Sequence, residues 1–232
     1  MEDLKICIRG ELINLCEATE EFARDSEWYS WLNDQDLTRF FERGEIRNTP
    51  DDQVKFFHDA QSSRILFIIA VGERYVGVTS FSEINYEKGE GALSLIVNYK
   101  LEPIMVPLIS LETAARMTEY AFEQLGWRKI HSGHHVGLKR WAQRKELLGF
   151  KTDGIMPDAF HKGDEIADII VSSIVRSDYF HLKEKRGGQL WDSAKAMLAR
   201  IRLLPKVSFT DELIDLYSSR RREYYDNIST LP

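Results

Sequence analysis

The chain has 232 residues, 43% of them apolar and 11% aromatic, with a formal charge of −6. That is enough to bury a full core in one domain with an appendage or in two small domains, and the acidic balance argues against general nucleic-acid binding. No apolar run approaches the roughly 18 residues of a membrane span, and the start MEDLKICIRG lacks the charged-then-apolar order of a signal peptide, so a soluble cytoplasmic protein with no membrane partner is expected.

Residues 5–16 alternate loosely and predict one strand, which carries both cysteines, Cys7 and Cys16. No histidine pair stands near them at zinc spacing, so they read as buried apolar thiols in a reducing compartment. Thr19 with Glu20 and Glu21 opens a predicted helix through Trp31, and a second short helix is expected around Leu37 to Phe41. Thr49 and Pro50 then mark a clear helix start, with Thr49 as N-cap and Pro50 in the first turn.

The hydrophobic period changes at Ile65. ILFIIAVGERYVGVTSFSEI predicts a hairpin around Gly72-Glu73, and GALSLIVNY supplies a third consecutive strand. Val106 to Leu125 predicts a helix with Gly126 just past its end. WRKIHSGHH reads as a short strand, residues 137–148 as a helix, Gly149-Phe150 as the start of another strand, and Glu165 to Val175 as the most β-branched strand of all. Beyond it, Leu190, Trp191, Ala194, Met197, Leu198, Ile201 and Leu204 share one helical stripe, and Asp211 to Tyr225 predicts a last helix. The expected division is a domain of residues 1–178 and a helical extension of 179–232. The stripe packs against the main domain or against a second subunit, as in a homodimer. Residues 176–206 hold eight Lys or Arg against three Asp or Glu, a local +5.

Three segments carry a resemblance. WYSWLNDQDLTRFF, ETAARMTEYAFEQLGWRKI and RKELLGFKTDG resemble motifs of the GNAT acyltransferase superfamily, in its branch acting on ribosomal-protein N-termini and amino sugars. The resemblance covers about Ile6 to Val175. It implies an α/β (α+β) fold with a mixed, mostly antiparallel sheet flanked by helices, and an N-acyltransferase using acetyl-CoA or another acyl-CoA on a small-molecule amine such as a nucleotide-linked amino sugar.

The resemblance places the pantetheine arm along Val97, Asn98 and Tyr99, and the CoA pyrophosphate at the following helix start, on Val106, Pro107, Leu108, Ile109 and Ser110. The family's glycines fall on Val106 and Leu108. Each therefore brings a Cβ, and Pro107 lacks an amide donor. In the next helix the family's Asn, small residue and tyrosine acid fall on Leu138, Trp141 and Lys145. Lys145 is a proton donor if burial lowers its pKa, and otherwise a solvated lysine.

Candidate proton-transfer residues are Glu83, just past the hairpin, and one of His134 and His135, since strand alternation turns only one toward the cleft. The bland alternative for Glu83 is a solvated turn glutamate. No carboxylate or cysteine completes a metal set with His131 and His134, so no metal is expected. Trp31, Arg39, Phe40, Arg43, Phe160 and His161 lie where the family binds its acceptor, although Trp31 also suits a core and Arg39 and Arg43 a solvated face. Two rival readings stand beside the enzyme: a GNAT-like binding or assembly module without cofactor, favoured by Val106-Pro107-Leu108, and an acyltransferase that takes its acyl group from an acyl-carrier protein.

Overall fold

The computed structural model describes residues 3–42, 44–101 and 105–231. Eight strands form one sheet: β1 (Ile6–Arg9), β2 (Asn14–Glu17), β3 (Ile65–Val71), β4 (Arg74–Asn85), β5 (Glu90–Val97), β6 (Lys129–His135), β7 (Lys151–Lys162) and β8 (Glu165–Val175). Their order is β1-β2-β3-β4-β5-β6-β8-β7, and only β5 and β6 run parallel.

The sheet separates two cores. Along β3, Phe67 and Ile69 face one and Ile68 and Ala70 the other, which is why ILFIIAV is continuously apolar rather than alternating. Helix α1 (Glu20–Asp25), α2 (Trp28–Trp31) and α3 (Pro50–Ser63) cover the second face through Phe22, Trp28, Trp31 and Phe57. The first face is covered by α4 (Val106–Glu119), whose Leu108, Ile109, Leu111 and Ala115 are buried there, and by α5 (Lys139–Glu146), which contributes Trp141. Thr49 caps α3 in a full capping box with Asp52, as its sequence predicts.

Several elements differ from the sequence expectation. Residues 5–16 form a hairpin rather than one strand, turning where Gly10 N–H donates to Ile13 O at 2.8 Å. The turn is held by Glu112 of α4, 0% exposed, whose carboxylate accepts from Glu11 N (2.5 Å), Leu12 N (2.7 Å) and Arg116 Nη2 (3.1 Å). The hairpin leaves Cys16 buried and Cys7 exposed, so only one cysteine is a core thiol.

The helix expected through Trp31 breaks at Ser26, which is extended and accepts from Trp28 N–H with its own hydroxyl. The helix expected over 37–41 is a run of turns. The Asp34 carboxylate accepts from the Asp36 and Leu37 amides and offers the backbone an alternative to helical bonding.

C-terminal to β8 stand α6 (Arg176–Lys185), α7 (Ala194–Leu203), α8 (Phe209–Asp215) and α9 (Arg221–Ser229). Tyr179, Leu190, Trp191 and Met197 join the same core as β3 and α4. Glu11 in the first hairpin accepts from Trp191 Nε1 (2.8 Å) and Ala194 N (2.7 Å), tying this region to the chain's start. No helix among the described residues is long and apolar enough to cross a membrane.

Candidate active site

Strands β5 and β6 pair over three residues only, Glu90–Ala92 with Lys129–His131. Beyond that seam β5 stays with β4 as far as Val97, while β6 stays with β8 as far as His135, so the two strands part like the arms of a V. A cavity of about 460 Å³ fills the opening, within the size range of small-molecule sites.

Its walls come from both faces of the sheet. On one side are Val106, Pro107 and Ser110 of α4, Leu138, and Trp141, Arg144 and Lys145 of α5. On the other are Asp36, Leu37, Phe40 and Phe41 from the turns before α3. Residues Leu93 to Val97, Gly133 and His134 form the parted strand ends. The lining is predominantly aliphatic and aromatic with a few polar groups, the composition expected where an apolar arm must be held and a reacting group oriented.

Lys145 lies at the base of the V and is 1% exposed. Its Nζ donates to Ser132 Oγ and, at 2.8 Å, to Ser172 Oγ, and sits 4.2 Å from the centroid of the Phe150 ring. No carboxylate among the described residues lies within ion-pairing distance. Burial therefore pushes its pKa well below the usual lysine range, opposed in part by the charge of Asp153. His134 stands beside it, Nε2 lying 3.4 Å from Ser132 Oγ, and burial together with Lys145 pushes the imidazole well below its ordinary range. The cavity thus holds two adjacent bases that burial favours in the uncharged form.

No protein-family model matches the sequence, and a search of curated proteins finds no match. Solved structures do match in shape. The spermidine N-acetyltransferase from Vibrio cholerae, solved with CoA and spermine, superposes with a TM-score of 0.64 at 16% identity, covering 73% of this chain and 98% of that one. The microcin C7 self-immunity acetyltransferase MccE, solved with acetyl-CoA and AMP, does so with a TM-score of 0.61 at 17% identity, covering 72% and 93%. The fold is the GNAT fold.

Within the GNAT fold the parted strands and the start of α4 border the cavity. Of the residues expected around a cofactor, Val97, Tyr99, Val106, Pro107, Ser110, Leu138 and Trp141 line the cavity. Leu108 and Ile109 point into the core instead, and Asn98 is engaged locally, its N–H donating to Val76 O at 2.7 Å.

Of the expected proton-transfer residues, His134 and Lys145 line the cavity and Glu83 and His135 do not. Glu83 is largely exposed at a bulge, with a φ of 51°, and approaches His131 Nε2 at 3.3 Å. His135 faces the opposite way, as alternation requires. It is sandwiched between Phe40 (4.8 Å) and Phe160 (4.5 Å), its Nδ1 accepting from Gly137 N at 2.9 Å. Its Nε2 lies 3.2 Å from Glu165 Oε1 but out of line for a hydrogen bond.

Of the acceptor candidates among the described residues, only Phe40 reaches the cavity. Trp31 is buried in the second core, and Phe160 is buried against His135. Arg39 lines a separate polar depression with Lys162 and Glu165, and His161 is exposed, its N–H donating to Glu42. Arg43 lies outside the described residues. Sequence reasoning missed Asp36, Leu37, Phe41, Arg144 and the Ser132–Ser172 pair. WYSWLNDQDLTRFF and RKELLGF contain four of these residues, but nothing in their spacing marks which of them turn inward.

Proposed function

We propose that the protein is an N-acyltransferase that moves an acyl group, most simply acetyl, from a CoA-type thioester to the nitrogen of a small amine. What carries this reading is the cavity that passes through the V of β5 and β6 with Lys145 and His134 at its base. The donor's arm lies along β5, whose backbone beyond Ala92 has no β6 partner and can hydrogen-bond an amide-bearing chain as a strand would. The amine enters from the side of Phe40 and Phe41, where Asp36 at the mouth attracts an ammonium group.

An amine arrives protonated and must lose that proton before its lone pair attacks the thioester carbonyl. The new C–N bond forms, the C–S bond breaks, and the leaving sulfur takes up a proton. His134 and Lys145, both favoured uncharged by burial, are suited to accept the amine's proton, and the protonated lysine is then the donor to sulfur. Amino sugars and polyamines are the acceptor classes to screen. The first follows from the sequence resemblance, the second from the spermidine enzyme of the same fold.

The test is thermal unfolding with and without millimolar acetyl-CoA, followed by detection of free thiol when acceptors are added. A ligand that binds the native state raises the unfolding temperature. A rise with thiol release supports the enzyme; no shift with any pantetheine compound favours the non-catalytic binding module instead.

A further inference from the structure

The start of α4 is poorly equipped for a pyrophosphate. Pro107 has no N–H, and the Leu108 and Ile109 amides both already donate to Met105 O at 2.9 Å. Of the helix start's donors, the Met105 and Val106 amides have no backbone partner among the described residues. No side chain caps the helix.

Two polar side chains lining the cavity nevertheless have no partner among the described residues. Ser110, 7% exposed, lines the cavity, and its hydroxyl makes no hydrogen bond among the described residues. Arg144 of α5, half-buried, lines the same cavity with no carboxylate or carbonyl partner among the described residues. Its neighbour Arg140, by contrast, is bonded to Gln143 and to Lys206 O. A half-buried guanidinium without an anion is costly, and its planar fork matches one phosphate group. Arg200 and Arg202, other conceivable phosphate ligands, do not line the cavity, and Arg200 is already paired with Asp192.

We propose that Arg144 and Ser110 form a one-phosphate subsite beside α4, so that the donor is recognised as a 4′-phosphopantetheine thioester while the adenosine end of CoA goes unread. This rests on the acyltransferase reading and names the part of the donor that the site selects. Phosphopantetheine thioesters come from CoA or from an acyl-carrier protein, and the two share this phosphate chemistry.

Calorimetric titration of the full chain with pantetheine, 4′-phosphopantetheine, CoA and a holo-acyl-carrier protein tests it. The expected result is phosphopantetheine binding at least about tenfold tighter than pantetheine, the effect of one charge-assisted contact, with CoA within about threefold of phosphopantetheine. Arg144→Gln should remove the phosphate advantage while leaving pantetheine affinity unchanged, Ser110→Ala should reduce it, and Arg144→Lys, which keeps the charge, should retain part of it. Tighter binding of the holo-carrier than of the free arm assigns the donor to a carrier protein; equal or weaker binding assigns it to CoA. An unchanged phosphate advantage in Arg144→Gln overturns the subsite, as does CoA binding about tenfold tighter than phosphopantetheine. Either result leaves the acyltransferase reading standing, whereas failure of every compound to bind removes both.

Discussion

Lys145 Nζ donates to Ser172 Oγ at 2.8 Å across the base of the cavity, and what surrounds that bond is hydroxyl and aromatic ring rather than carboxylate. A lysine so placed is uncharged at a pH where the unfolded chain protonates it. The unfolded state then binds more protons than the native one, so Lys145 makes stability rise with pH from its depressed native pKa up to the ordinary value of 10.5. Lys145→Met should therefore be stabilising at neutral pH and lose that advantage near pH 10, as urea unfolding across that range would show. A stability gain independent of pH would mean that the amine is charged in the native state.

Glu112 is the second buried ionisable group with structural consequences. Its carboxylate satisfies two amides of the first hairpin and the Arg116 guanidinium at once. Glu112→Ala should cost about 3–5 kcal/mol, because it strands both hairpin amides and leaves the mostly buried Arg116 with Glu119 as its one remaining carboxylate partner among the described residues. Urea denaturation measures this. A loss below about 1 kcal/mol, the worth of an exposed pair, would show the hairpin is held by something else.

Gly137 follows β6 at the acceptor side. A Cβ there would lie 2.6 Å from Phe40 Cε1 and 2.9 Å from His135 Nδ1; His135 is packed on Phe160, so Phe40, which borders the cavity, is the ring that must give way. Gly137→Ala should destabilise by about 1–3 kcal/mol and displace Phe40 from the cavity wall. Chemical-shift changes at Phe40 and His135 would report the displacement, and unaltered shifts with full stability would contradict it.

Much of the architecture was legible because its signals are local. The Thr49 cap, the Gly72 turn and the β-branched run from Glu165 each name their own structure within a few residues. Signals that depend on competition were not. Asp34 and Ser26 divert backbone amides from helix, and Gly10 turns a seemingly continuous strand, in both cases through contacts that periodicity does not encode. At the site, strand alternation anticipated that one of His134 and His135 would face the cavity, but choosing between them needed the sheet register. Lys145 was named by position alone; its serine partners come from β6 and β8, 13 and 27 residues away along the chain.

The three-residue seam between β5 and β6 has a mechanical meaning. The sheet is in effect two plates, one of β1 to β5 and one of β6 to β8, stitched along a short edge and splayed elsewhere. Whatever occupies the V works as a keystone, bearing on both plates and adding the missing strand between them. Occupancy is thus coupled to the rigidity of the whole sheet: the empty protein should flex about the seam, and backbone amides of β5 and β6 far from any direct contact should exchange more slowly once the gap is filled.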